Sequence, residues 1–102
     1  MGKKRIIKIL GNIIGNVVVH KILVRYTNKP ESVPHLTEEI GTYQDNALEM
    51  AQEFNWDYED KSKLKQEALK NFNKRIKKYQ DVKFPSSEAN KLIDETIGEC
   101  IE

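Results

Sequence analysis

The stretch KRIIKILGNIIGNVVVHKILVRY, residues 4–26, decides the fold. Wound at helical pitch, Ile6, Ile7, Ile9, Leu10, Ile13, Ile14, Val17 and Val18 share one half of the wheel. Lys4, Arg5, Lys8, Gly11, Asn12, Gly15 and Asn16 share the other, which is the pattern of an amphipathic helix. After Val18 the apolar positions Val19, Ile22, Leu23 and Tyr26 move to the opposite half. Two structures fit that shift. One is a single helix of roughly 35 Å that meets different partners along its length. The other is a strand over Val17–Tyr26, where His20, Ile22, Val24 and Tyr26 alternate with Val19, Lys21, Leu23 and Arg25, and where β-branched residues favour the pleat. A strand needs a partner and no other segment reads as β, so the helix is preferred.

Working outward, the chain is punctuated at Asn28-Lys29-Pro30 with Pro34, at Asn55-Trp56-Asp57, and at Phe84-Pro85-Ser86-Ser87. The second segment carries Leu36, Ile40, Tyr43, Ala47, Met50, Ala51 and Phe54 within about 100° of a wheel, opposite Glu38, Asp45, Glu49 and Glu53. Thr37 is the expected N-cap, with Glu38 and Glu39 in the first turn. The third segment carries Leu64, Ala68, Leu69, Phe72, Ile76 and Tyr79 on one face, with Asp57 and Asp60 spaced for a capping box. The fourth starts after Pro85 and lines up Ala89, Leu92, Ile93, Ile97, Cys100 and Ile101. The expected fold is all-α: a small antiparallel bundle of three to four helices with a long N-terminal helix. A chain of 102 residues is expected to form one domain over 1–102.

Charge follows the segments. Residues 1–29 carry seven basic and no acidic side chains, and residues 30–60 nine acidic and no basic. Residues 61–83 carry nine basic and two acidic, and residues 84–102 one basic and five acidic. The alternation in sign predicts that oppositely charged helices pack side by side. Each exposed ion pair contributes only about 0–1 kcal/mol, so the pattern selects topology more than it stabilises.

No residue set predicts catalysis, a metal, a cofactor or a small-molecule ligand. His20 has Leu23 and Val24 one turn on, where a metal site wants a second ligand. His35 has Glu38 and Glu39 in that position but reads as a polar residue in the loop before the second helix. Glu49 and Glu53 point away from the apolar stripe as a solvated acidic face. Cys100 has no partner for an internal disulfide and sits on an apolar face with Glu99 and Glu102 nearby, so it reads as an inert thiol in a reducing, cytoplasmic setting. The Met1-Gly-Lys-Lys-Arg start resembles a signal peptide, but Lys8, Gly11, Asn12, Gly15 and Asn16 interrupt the apolar run that a leader or an integral membrane segment needs.

Three surface readings remain. Gly11 and Gly15 form Gly-x-x-x-Gly; each glycine costs a helix about 1 kcal/mol against alanine, so the pair implies either close helix packing or a turn at Gly11-Asn12. Lys63, Lys70, Lys74, Lys77 and Lys78 form a basic stripe opposite the third segment's core face, able to follow the phosphate backbone of a nucleic acid. If the later three helices close a core among themselves, the N-terminal helix is left to self-associate through Ile6, Ile9, Leu10, Ile13, Ile14 and Val17. The sequence therefore predicts a non-enzymatic interaction or scaffold protein, a homodimer joined through its first helix, with nucleic-acid binding by the third helix as the alternative.

Overall fold

The computed structural model describes residues 2–27 and 29–101. Asn28, read above as part of a chain-breaking turn, Met1 of the leader-like start, and Glu102, read as a neighbour of Cys100, lie outside the described residues. Four helices form: α1 (Lys3–Tyr26), α2 (Val33–Ala51), α3 (Tyr58–Ile76) and α4 (Ser86–Ile101), with one turn of 3-10 helix at Pro30–Ser32. The first segment is a single helix of 24 residues, and no strand forms among the described residues. The fold is the all-α bundle with a long first helix that the periodicity predicts.

Cross-helix contacts fix the directions. Ile6 and Ile9 lie beside Met50 and Phe54, and His20 meets Glu39, so α1 and α2 are antiparallel. Lys3 meets Asp60 and Gly15 faces Asn71, so α1 and α3 are parallel. Lys21 meets Glu99 and Arg25 meets Glu88, which sets α4 antiparallel to α1. The chain runs up, down, up, down.

The core is built around α1. Leu10, Ile14, Val17, Val18 and Ile22 are fully buried, and α2, α3 and α4 all pack on this one helix. The shift of apolar positions after Val18 has its reason here, since the second half of α1 turns its apolar residues toward α4. The later helices do not close a core without α1. By length and apolarity α1 is able to cross a membrane, but 61% of its most apolar window is covered by the rest of the protein.

The boundaries follow local chemistry. At α3, the Asp57 carboxylate accepts from the Asp60 backbone N–H at 2.8 Å, and the Asp60 carboxylate accepts in return from the Asp57 N–H. This is the predicted capping box, which satisfies two otherwise orphaned donors. At α2 the expectation is corrected. The helix begins at Val33, after the Pro30–Ser32 turn, because Pro34 suits a first helical turn that needs no donor there. Thr37 lies inside the helix and its hydroxyl donates to the Val33 carbonyl at 2.8 Å.

Aromatic residues close both ends. Trp56 donates its indole N–H to the Ala51 carbonyl at 2.9 Å and packs edge-on to Phe54. Phe84, between α3 and α4, packs edge-on to Phe72 and against Tyr26. Tyr79 falls beyond the end of α3 and is exposed, not part of the predicted stripe.

Candidate functional site

The two glycines of α1 face α3. A Cβ on Gly11 would lie 2.5 Å from the Glu67 Cβ. A Cβ on Gly15 would lie 2.8 Å from the Asn71 Cβ, 2.9 Å from the Ala68 carbonyl oxygen and 3.0 Å from the Phe72 nitrogen. Three-ångström approach to backbone leaves no room for any side chain, so Gly-x-x-x-Gly here serves close packing and no turn forms at Gly11-Asn12. Ala68 completes the contact from the other side.

The expectation drawn from charge alternation holds for α1 with α2, α1 with α4 and α3 with α4, but not for this contact. At this seam basic α1 meets α3, which is also net basic, with six Lys and Arg against Glu59, Asp60 and Glu67. Van der Waals packing at a glycine seam is short-ranged and dense, whereas repulsion between solvated lysines is weakened by water and salt, so packing sets the neighbour. The consequence is a positive surface spanning two helices. Lys3, Lys4 and Lys8 of α1 and Lys63 of α3 line one cleft of about 500 Å³ together with Ile7, Gln66 and two carboxylates, Asp60 (paired with Lys3) and Glu67. Further along, Asn12 of α1 and Asn71, Lys74 and Arg75 of α3 line a second with Lys78, which like Lys77 lies beyond the helix end and not on the predicted stripe of α3. Lys70 lies on the same helical stripe between them.

The cations of the molecule divide by location. Those facing α4 are paired: Lys21 with Glu99 at 2.8 Å and with the Thr96 hydroxyl, Arg25 with Glu88, and Lys65 with Asp94 at 2.9 Å. At the seam, Lys3 pairs with Asp60 at 2.9 Å, and Lys63 with Glu59 along its own helix at 3.4 Å. The Lys3 hydrogen bond holds the Asp60 carboxyl below the usual carboxylate range, outweighing a smaller upward push from desolvation. Arg75 donates to the Asn12 amide oxygen at 2.8 Å. Lys4, Lys8, Lys70, Lys74, Lys77 and Lys78 meet no carboxylate among the described residues. Of the five lysines marked by the sequence, four are therefore exposed and unpaired, and α1 supplies two more that the sequence did not place beside them.

The histidines converge. The Glu39 carboxylate is 2.7 Å from His20 Nε2 and 2.9 Å from His35 Nε2. His20 Nδ1 lies 2.7 Å from the Asn16 carbonyl and its ring packs against Tyr43. With an acceptor at each nitrogen, both His20 contacts are hydrogen bonds only when the ring carries two protons. His35 sits in the first turn of α2, not in the preceding loop. These side chains tie α1 to α2, and no group of three His, Cys, Asp or Glu among the described residues is placed to hold a metal ion. Cys100 is buried, and burial with the neighbouring Glu99 charge pushes its thiol up to about 11.

The candidate self-association residues are divided by the fold. Ile6, Leu10, Ile14 and Val17 are buried inside the monomer against α2, α3 and α4. Ile9 and Ile13 are only half-buried and, with Ile6, Met50 and Phe54, line an open groove of about 660 Å³ between α1 and α2. Glu49, Glu53 and Asn46 form its rim.

Compared with protein families, with curated proteins and with solved structures, the chain matches none. The reading of its surfaces rests on their own chemistry.

Proposed function

We propose that this protein is a non-enzymatic binding module that holds the phosphate backbone of a nucleic acid along the α1–α3 seam. The observation that carries the reading is the pairing of two net basic helices through glycine, with six lysines on them or just past the end of α3 left without a carboxylate partner among the described residues. Keeping like charges together opposes folding, and a polyanion laid along the seam removes that opposition. From Lys63 to Lys74 the stripe covers about 17 Å of helix, long enough to follow successive phosphates. Among the described residues neither cleft is lined by an aromatic side chain on which bases could stack, so binding is to backbone and indifferent to sequence.

Filter binding of labelled duplex DNA and duplex RNA, at low and at physiological salt, tests this. Retention at low salt that weakens steeply with added salt is expected, together with its loss in Lys70→Glu plus Lys74→Glu. Both positions are exposed, so the fold of that variant should be intact by circular dichroism. No retention at low salt, or equal retention by the variant, removes the reading.

A further inference from the structure

A second surface is independent of the seam. On α2 only Ala47 and Ala51 are fully buried. The small alanines bring α2 onto α1, and the larger residues of the same stripe, Met50 and Phe54, are left half-covered. Across the groove, Ile9 and Ile13 of α1 are half-covered as well. The floor is thus a continuous apolar strip between two antiparallel helices, soft where Met50 can change rotamer. Its rim is acidic, and residues 30–60 contain no Lys or Arg to neutralise it.

We infer that this groove docks a basic amphipathic helix from a partner protein, with apolar side chains at helical spacing on the floor and lysines or arginines against Glu49 and Glu53. The charge pattern selects this occupant. A second copy placing the same face here would set Glu49, Glu53 and Asp45 against their own equivalents, and like charges across an interface are disfavoured. The basic stripe of another copy's α3 does not serve either, because Lys63, Lys70, Lys74 and Lys77 have no apolar side chains among them to fill the floor. A helix in an apolar groove is an established mode of recognition, with anchors at i, i+3 or i+4, and i+7.

The probe is an 18-residue peptide of leucine and lysine in amphipathic helical order, with a leucine and glutamate peptide of the same apolar pattern as its counterpart. Trp56, the protein's one tryptophan, packs on Phe54 at the end of the groove and reports occupancy by its fluorescence. The expected result is a saturable change with the lysine peptide at micromolar concentration and none with the glutamate peptide. Glu49→Lys plus Glu53→Lys, both exposed positions, should weaken binding at least tenfold, and Ile13→Lys should do the same with the rim intact. Absence of saturable binding by the lysine peptide overturns the inference, as does equal binding by the rim variant. Sedimentation showing a dimer that Ile13→Lys dissociates would also overturn it, by giving the groove to a second copy.

Discussion

The two flanks of α1 are built by opposite means. Toward α3, glycines remove side chains altogether and the backbones come close. Toward α2, alanines make a narrower bridge and the large residues beside them remain half-exposed. The first flank is dense and its charge is unbalanced; the second is loose and acidic. Density fixes a neighbour even against charge, whereas a loose contact leaves surface for something else.

The largest expected effects lie in the core of α1. Ile14→Ala, at a fully buried site, should cost about 2–5 kcal/mol in urea unfolding, whereas Met50→Ala on the loose flank should cost well under half of that. Equal losses would mean that the two flanks are equally tight. The glycines come next. Gly15→Ala should destabilise by about 1–3 kcal/mol, because the added methyl meets the Ala68 carbonyl and the Phe72 nitrogen, which cannot step aside as a side-chain tip can. Gly41→Ala, in an exposed part of α2 with nothing near the new methyl, should stabilise by about 0.5–1 kcal/mol through helix propensity. Opposite signs from the same substitution sharpen the comparison; two gains in stability would break it.

A smaller effect is expected at the start of α3. Asp57→Ala removes the cap and should cost about 0.5–2 kcal/mol by thermal unfolding, without altering the α1–α2 contacts. Cys100 gives a reading of α4 without mutation. Its thiol, pushed up to about 11, is protonated near neutral pH, so iodoacetamide at pH 8 should label it far more slowly than it labels the unfolded chain. Because the folded thiol resists ionising, stability should fall once pH exceeds the ordinary thiol range near 8.5, as the unfolded state gains the thiolate. Rapid labelling in the native state would show that the end of α4 is open.

Much of the architecture was legible in the sequence because helical period survives without tertiary information. The Asp57 and Asp60 capping box is readable from spacing alone, whereas spacing leaves Val17–Tyr26 open to a strand and only the lack of a β partner favours the single long helix. What spacing cannot convey is which helices are neighbours. Gly11 and Gly15 allow either a close approach or a turn and name no partner, and charge signs point away from α3. For the same reason Lys4 and Lys8 were not joined to Lys63, and His20 was not joined to Glu39, since those pairs exist only across helices. The helical wheel sets Ile6, Ile9, Leu10, Ile13, Ile14 and Val17 of α1 on one surface. Four of them, Ile6, Leu10, Ile14 and Val17, are enclosed because α1 is the axis of the core and not an appendage to it. The groove was hidden because a helical wheel marks Met50 and Phe54 as core-facing without saying how much of each is covered.

The account depends on the seam being one surface contributed by two helices. The direct test is the salt dependence of duplex DNA binding in the wild type, in Lys70→Glu plus Lys74→Glu, and in Lys4→Glu plus Lys8→Glu. The wild-type plot of log affinity against log salt should have a slope of about −4 for four to five phosphates neutralised. Each double variant should weaken binding and flatten the slope by about 2, the α1 variant as much as the α3 variant. An α1 variant with wild-type affinity and slope would contradict the account, leaving α3 to act alone and the glycine-closed seam without a part in binding.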